Sequence, residues 1–301
     1  MMEHYFSPGK LLITSEYVVL DGAKALALPT KMGQDLWVEE KEDNNAKIFW
    51  ETYHQNQLWL SIEIDYRKWE IISTNLKPNA FFILKVLKYL QSISLEKFKK
   101  GISYHIKTNL QFPANYGLGS SSTLMANLAK WAKADAFLLN EKTLGGSGYD
   151  VAVALEEQSI LYQLKPSREV VPVYFSPKFK DDLLFVHLNQ KQDSREGIAL
   201  YKAREKSKKD VAFFSELTDA VLNAGSLEEF SKLMIAHEQK LSEFLGIPTV
   251  RELYFSDYPG FIKSLGAWGG DFIMAENFSR AETYFREKGF SDIFKFSDII
   301  L

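Results

Sequence analysis

The stretch that decides the fold is Pro113-Ala-Asn-Tyr-Gly-Leu-Gly-Ser-Ser-Ser-Thr123. It follows GISYHIKTNL, residues 101–110, which predicts a strand, and it opens SSSTLMANLAKWAKA, residues 120–134, which predicts a helix. A glycine-rich turn at a helix N-terminus leaves backbone N–H groups without partners, and these groups together with the helix dipole bind phosphate oxygens. The segment therefore predicts an anion site, or otherwise an ordinary capped helix after a glycine turn. It lacks the Gly-Lys-Ser/Thr ending of a Walker A loop.

The sequence before this stretch is rich in strand signals. NAFFILKVLKYLQSI, residues 79–93, repeats apolar positions at helical spacing and predicts a helix. Asp21-Gly22 is a hairpin-type dipeptide, and further turns are expected at 43–45 and 54–56. Strands are predicted at residues 11–20, 25–30, 35–40, 46–53 and 57–65.

Strands and helices remain mixed after it. Residues 194–245 are predicted to be mostly helical, with a break at 223–226 and Ser226 as the N-cap of the next helix. Asp135 is the expected N-cap of a short helix earlier in the chain. Strands are predicted at residues 159–165, 171–175 and 183–188 and on both sides of the glycines in 261–275, with a last helix at 278–289. The absence of a regular βαβ rhythm favours an α+β fold. A polar, proline-containing segment at 176–182 indicates two domains, 1–178 and 179–301.

Composition excludes several classes of function. Thirty-six Lys+Arg against thirty-nine Asp+Glu argue against a protein held to nucleic acid by its phosphates and against a polybasic membrane binder. The chain has no cysteine, which excludes disulfides, thiolate zinc sites, iron–sulfur clusters and a cysteine nucleophile. No apolar run is long enough for a membrane helix, and the N-terminus lacks the features of a signal peptide. We expect a cytoplasmic protein with no nucleic-acid or membrane partner.

Three other segments carry residues suited to chemistry. In Ser7-Pro-Gly-Lys10, the lysine supplies a mobile positive charge for a phosphate or a reacting hydroxyl, or is a solvated lysine beside a turn. In Gly145-Gly-Ser-Gly-Tyr-Asp150, the aspartate is a general base for a hydroxyl, or a helix cap. Gly266-Ala-Trp-Gly-Gly-Asp271 is a loop that closes over a ligand, or a plain hairpin.

Other polar residues give weaker signals. The five histidines show no metal-ligand spacing. Arg195, at the end of the polar run 191–195, suits an anionic substrate group, or belongs to a helix start that is capped by Asp193 or Ser194.

Taken together and in this order, the segments resemble the motifs of the GHMP kinase superfamily, which includes galactokinase, homoserine kinase, mevalonate kinase and phosphomevalonate kinase. SPGKLLITSEYVVLDG, residues 7–22, resembles the first motif, and PANYGLGSSST, residues 113–123, resembles the second. GGSGYDVAVA, residues 145–154, resembles the segment with the catalytic aspartate, and LGAWGGDFIMA, residues 265–275, resembles the third motif. The first motif and the Gly-Gly-Asp ending of the third motif resemble the mevalonate and phosphomevalonate kinases most. GGSGYDVA, residues 145–152, resembles the bacterial GYDIA-type subgroup, which the sequence as a whole resembles most.

The resemblance implies a two-domain fold, with an N-terminal domain like ribosomal protein S5 domain 2 and a ferredoxin-like C-terminal domain. It implies ATP- and Mg²⁺-dependent transfer of the γ-phosphate to a hydroxyl or phosphate of a small metabolite, such as mevalonate or phosphomevalonate. Two alternatives stay open: an ATP-dependent decarboxylase of the diphosphomevalonate type, and a nucleotide-binding regulatory homologue without catalysis.

The resemblance also assigns site residues. Asp150 would accept or orient the proton of the substrate hydroxyl, Lys10 would stabilise the nucleophile, and Ser121 would lie near Mg²⁺. ATP would contact Pro113, Gly117, Leu118, Gly119, Ser120, Ser121 and Ser122. The substrate side would be formed by Glu16, Gly266, Ala267, Gly269 and Gly270.

The sequence departs from the family at two places. The magnesium-binding glutamate expected before the catalytic aspartate is missing at its usual spacing, and Glu141 is the nearest candidate or else a solvated helix residue. Trp268 replaces a glycine of the third motif and either stacks on a ligand or fills the core.

Overall fold

The structure is a computed structural model that describes residues 1–99, 101–190, 194–266, 268 and 270–301, without the side chains of 194 and 195. Helices and strands are mixed in an α+β arrangement, as the sequence predicts. The strands are β1 (Met2–Leu12), β2 (Ala25–Glu42), β3 (Lys47–His54), β4 (Gln57–Asp65), β5 (Glu70–Thr74), β6 (Ile102–Leu110), β7 (Ile160–Gln163), β8 (Glu169–Pro172), β9 (Leu183–His187), β10 (Ile262–Leu265), β11 (Phe272–Glu276) and β12 (Ile293–Lys295). The helices are α1 (Lys77–Ile93), α2 (Ser120–Ala132), α3 (Ala136–Thr143), α4 (Tyr149–Glu156), α5 (Ser194–Lys202), α6 (Lys208–Asn223), α7 (Leu227–Leu245), α8 (Val250–Tyr254), α9 (Ala281–Glu287) and α10 (Phe296–Ile299).

The chain forms two compact units whose segments alternate along the sequence. The first unit comprises Met1–Gly9, Met32–Ala114 and Gly119–Glu157. The second unit comprises Lys10–Lys31, Asn115–Leu118 and Gln158–Leu301. The division into domains at residue 178 stays a prediction.

The first unit is built on a sheet with strand order β5-β4-β3-β6-β2, to which β2 contributes its residues from Met32 onward. β3 and β6 run parallel, and the other neighbours are antiparallel. Alternation along β3 buries Ile48 and Trp50, and the amphipathic helices α1 and α2 cover them with Leu87 and Trp131 among others. One core therefore lies between this face of the sheet and the helices.

The second unit contains a four-stranded antiparallel sheet of order β10-β11-β9-β12. All five residues of β9 are buried, which explains its continuous apolar run. One core of this unit packs β9 and β11 against α8 and α9 around Phe255 and Phe285. A second core gathers Tyr17, Tyr201 and Trp268, so Trp268 is a core residue, only 6% exposed.

The predicted strand at residues 11–20 is wrong, and the one predicted at 171–175 overlaps only the end of β8, Glu169–Pro172. Residues 11–20 were expected to be extended, but β1 ends at Leu12, and Val18–Asp21 form a 3-10 helix. Ser15 and Tyr17 have φ values of 65° and 61°, which a strand does not contain. The segments 25–30 and 35–40, predicted as separate strands, are parts of the single strand β2.

Side chains near the helix N-termini cap two of the helices. Asp135 accepts hydrogen bonds from the N–H groups of Phe137 and Leu138, and Ser226 accepts one from Glu229, so both predicted N-caps are confirmed. Within the described part of the chain, no helix has the length and apolar character needed to cross a membrane.

Candidate functional site

Within the glycine loop, residues 113–123, residues 115–118 belong to the second unit, where they contact Lys10. Lys10 is at the end of β1 and only 8% exposed. Its Nζ donates a hydrogen bond to the carbonyl oxygen of Gly117 (2.9 Å), and its backbone N–H donates to the carbonyl oxygen of Leu118 (2.9 Å). Two residues that the sequence assigns to one site are therefore in direct contact, and Lys10 is not a solvated lysine beside a turn.

Gly117 is required by both its conformation and its surroundings. Its φ is 69°, in the left-handed region. A Cβ placed on it would lie 2.3 Å from Cγ of Asp271. Asp271, the last residue of the third glycine segment, is 7% exposed and also left-handed, with φ of 55°. The structure thus brings the second and third glycine segments together within the second unit.

The third segment is only partly described. Gly266 has φ of 79°, and a Cβ on it would lie 3.4 Å from Asp271 Oδ2. Gly270 is buried. The predicted substrate contacts Ala267 and Gly269 lie outside the described residues.

The serine run lies in the first unit, at the start of α2. The N-cap of this helix is Gly119, with φ of 87°, so no side chain caps the first N–H groups. Ser122 is 2% exposed and donates its hydroxyl to the carbonyl oxygen of Gly119 (2.8 Å). Ser120 is half-buried and Ser121 is exposed. The start of α2 therefore offers uncapped N–H groups and a solvent-facing hydroxyl to an anion.

Two other residues assigned to ATP complete this segment. Pro113 is half-buried and precedes the glycines, and Leu118 is fully buried between them. Both fit a role in fixing the backbone of the loop.

Asp150 lies in the first turn of α4, half-buried, and accepts a hydrogen bond from the N–H of Val151 (3.0 Å). The N-cap of this helix is Gly148, so the alternative that Asp150 caps it is wrong. α4 packs against α2 in the same unit, through Val151 and Ala129. The helix that carries the serines and the helix that carries Asp150 are therefore neighbours.

Glu141 is an exposed residue of α3, and its carboxylate lies 3.5 Å from Nζ of Lys142. Among the described residues, no group of three His, Asp or Glu side chains is arranged to hold a metal ion. The side chain of Arg195, and Asp193 with its predicted capping role, lie outside what the structure describes, although α5 does begin at Ser194.

Glu16 is buried in the second unit, with 2% of its surface exposed. Its Oε1 accepts a hydrogen bond from Nζ of Lys263 (2.7 Å), and Lys263 Nζ also lies 3.4 Å from Oε2 of Glu238. Glu238 further accepts hydrogen bonds from the N–H and hydroxyl of Ser264. Two acids thus share one buried lysine.

His237 completes this buried cluster. Its Nε2 accepts a hydrogen bond from the N–H of Ser15 (2.7 Å), so Nε2 carries no proton, although it lies 3.3 Å from Oε2 of Glu16. Oε2 of Glu16 and Nδ1 of His237 are buried without hydrogen-bond partners. Burial raises the pKa of Glu16 to about 7 against the opposing effect of Lys263, and burial lowers the pKa of His237 well below its ordinary value. At a pH below about 7, Glu16 is therefore protonated beside a neutral His237.

Sequence reasoning missed Lys263, Glu238 and His237. The signals were present, because Lys263 lies in a short strand between the apolar residues Phe261, Ile262 and Leu265, and His237 and Glu238 lie on the buried face of α7 between Met234 and Leu241. Charged residues at core positions need partners.

The fold has relatives among solved structures. No protein-family model matches the sequence, and no curated protein matches it either. Mevalonate kinase from Methanococcus jannaschii is similar with a TM-score of 0.72 at 16% identity, covering 98% of this chain and 96% of that chain. Phosphomevalonate kinase from Streptococcus pneumoniae, in complex with phosphomevalonate and AMPPNP, is similar with a TM-score of 0.70 at 16% identity, covering 97% and 99%. Galactokinase from Lactococcus lactis, complexed with galactose, is similar with a TM-score of 0.67 at 15% identity, covering 95% and 88%.

Likeness at this level of identity concerns the fold. The chain therefore has the fold shared by mevalonate kinase, phosphomevalonate kinase and galactokinase, the GHMP kinases that its sequence motifs resemble.

Proposed function

We propose that this chain is an ATP-dependent kinase that phosphorylates a small metabolite, on a hydroxyl or on an existing phosphate. The observation that carries the proposal is the start of α2, where Gly119 leaves the first N–H groups without a side-chain cap and Ser121 is exposed. Such a helix start binds phosphate because the N–H groups and the helix dipole both favour negative charge. The helix has 13 residues, long enough for a substantial dipole.

The hydroxyl of Ser121 and the N–H groups at the start of α2 suit ATP and its magnesium ion. Mg²⁺ is commonly held by substrate phosphates, waters and only one or two protein oxygens, and the exposed hydroxyl of Ser121 suits that role. When bound, Mg·ATP supplies the transferable phosphoryl group and neutralises its charge. Glu141, exposed on α3, is the second magnesium candidate.

Two side chains are assigned to the reaction itself. Asp150, half-buried in the first turn of α4, takes the proton of the attacking hydroxyl. Lys10 keeps its ammonium group at the carbonyl of Gly117, so its charge stabilises negative charge that develops beside the loop. A base within reach of the hydroxyl typically contributes about 10²–10⁴-fold in rate.

The solved relatives support a small-molecule acceptor. One of these structures is a complex with phosphomevalonate and AMPPNP, and another is a complex with galactose. Mevalonate- and phosphomevalonate-like compounds are our first proposed acceptors, since the first and third motifs resemble those kinases most.

The test is a coupled assay of ADP release with Mg·ATP across mevalonate, phosphomevalonate, homoserine and several sugars. Asp150→Asn is compared with Asp135→Asn, a matched change at the N-cap of α3 in the same unit. Because asparagine also caps helices, Asp135→Asn should keep full activity. Asp150→Asn should lose about 10²–10⁴-fold in kcat while it still binds ATP.

Other results would point elsewhere. Release of CO₂ with ADP from a phosphorylated β-hydroxy acid would indicate the decarboxylase instead. Tight ATP binding without turnover on any acceptor would favour the regulatory homologue. A wild-type protein that does not bind ATP would refute the assignment of residues 117–122.

A further inference from the structure

Residues 115–118 are the part of the glycine loop that belongs to the second unit, and each of them makes a hydrogen bond to that unit through its backbone oxygen or its side chain. The backbone oxygens of Gly117 and Leu118 accept hydrogen bonds from Lys10. The backbone oxygen of Asn115 lies 3.3 Å from Nε2 of His187. Tyr116 donates its hydroxyl to Oδ2 of Asp292 (2.7 Å).

The contact of His187 has a definite direction. Nδ1 of His187 accepts a hydrogen bond from the N–H of Asn189 (3.3 Å), so the ring proton is on Nε2, which donates to Asn115. His187 is 1% exposed, and burial lowers the pKa of its ring below the ordinary value. The neutral ring therefore persists at neutral pH.

Tyr116 is inserted into an aromatic cluster, not displayed on the loop. Its ring centroid lies 4.5 Å from that of His187 and 5.4 Å from that of Phe272, which it meets edge-on. The residue is 7% exposed. Burial and the Asp292 carboxylate raise the pKa of its hydroxyl, so it stays a donor.

Neither partner belongs to a motif. In the second motif, P-x-x-x-G-L-G-S-S-A, Tyr116 occupies an unspecified position, and Asp292 lies beyond the third motif. Yet their bond joins the residue before Gly117 to a residue 176 positions away.

We propose that Tyr116 and Asp292 form a positioning pair, which pre-organises the backbone at Gly117 for the phosphates of the nucleotide. This inference rests on the proposed function. A loop that is already fixed loses less conformational entropy when a ligand binds, so the pair increases nucleotide affinity without touching the nucleotide.

The experiment compares wild type with Tyr116→Phe, Asp292→Ala and the double variant. Tyr284→Phe is the matched control, because Tyr284 donates its hydroxyl to Asp257 in the same unit and packs its ring on Tyr258 and Phe285. Two quantities are measured on the full chain. Hydrogen exchange without nucleotide follows the amide of Lys10, which is bonded to Leu118, and calorimetric titration gives the Kd of Mg²⁺ with a non-hydrolysable ATP analogue.

We expect Tyr116→Phe to raise the Kd about tenfold and to speed exchange at Lys10, with Tyr284→Phe unchanged in both. Asp292→Ala should match it, and the double variant should be no worse than either single one, because both changes remove the same bond. Asp292→Asn, which still accepts the hydroxyl, should restore most of the affinity.

The proposal and the proposed function fail differently. If wild type binds the analogue but Tyr116→Phe leaves the Kd within twofold, or if the two single effects simply add, the positioning pair is refuted and the kinase assignment stands. If wild type binds no nucleotide, the proposed function fails and the proposal fails with it, whatever the exchange rates.

Discussion

Replacement of Glu16 by glutamine tests the buried cluster around Lys263. The pKa of Glu16 is raised from 4.5 to about 7, so its folded form binds a proton more tightly than its unfolded form. The stability from this group is fully present below pH 4.5 and is lost as the pH rises through 7. With 1.36 kcal/mol per pKa unit, its contribution falls by about 2.5 kcal/mol between pH 5 and pH 8.

His237 acts in the opposite direction. Its pKa is lowered from 6.5, so its stability contribution is present above pH 6.5 and is lost as the pH falls. Below pH 6.5 the unfolded chain binds a proton on His237, while the folded chain holds one on Glu16, and the two effects nearly cancel. The wild type should therefore show little pH dependence from this pair, whereas Glu16→Gln exposes that of His237.

The assay is urea unfolding of wild type and Glu16→Gln at several pH values from 5 to 8. The difference in the free energy of unfolding, wild type minus variant, should fall by about 2.5 kcal/mol across that range. Glu252→Gln is the control, because hydrogen bonds from Thr249 lower the pKa of Glu252 and its contribution is constant above pH 5. A difference for Glu16→Gln that stays constant within about 0.5 kcal/mol would show that Glu16 is ionised throughout, and the reasoning would be refuted.

Three further results are expected. Gly117→Ala should abolish nucleotide binding, because its Cβ would lie 2.3 Å from Asp271, whereas Gly289→Ala, at φ of 91° with nothing within 4 Å, should lower the free energy of unfolding by only about 1 kcal/mol of strain. If both variants lose equal unfolding free energy and both still bind nucleotide, the prediction is wrong. Lys263→Met should lower the free energy of unfolding by about 3–5 kcal/mol at pH 8, measured by urea unfolding, because it leaves two buried acids without a cation. A loss below about 1 kcal/mol would argue against these ion pairs. Asp135→Ala should cost about 1 kcal/mol by removing the cap of α3, measured in the same way, while an unchanged midpoint would dismiss the cap.

Features with a local cause could be predicted from the sequence. Strand β4 has the predicted bounds of 57–65, because its apolar positions alternate over the whole length. The caps at Asp135 and Ser226 were predictable for a similar reason, since each side chain bonds N–H groups two or three residues away. The α+β class followed from the order of these elements.

Features with a distant cause could not be predicted. The turn at Ser15 looks like a strand in sequence, and its N–H is bonded to His237, which is 222 residues away. The same holds for Asp271, because nothing in the sequence links it to Gly117, against which it packs. The glycine segments indicated where the loops are, and the buried partners that fix those loops came only from the structure.

The long separation between Glu16 and Lys263 has a consequence during synthesis. Their 247 residues of separation mean that, at about 5–20 residues per second, the acid waits roughly 12–50 s for its lysine. During that time residues 10–31, and residues 115–118 once they are made, wait for the segment from residue 158 onward that completes their unit. A nascent chain therefore carries unfinished apolar and charged surface at residues 10–31 until the segment from residue 158 onward is made, and a fragment that starts at residue 158 would lack residues 10–31 and 115–118 of its unit.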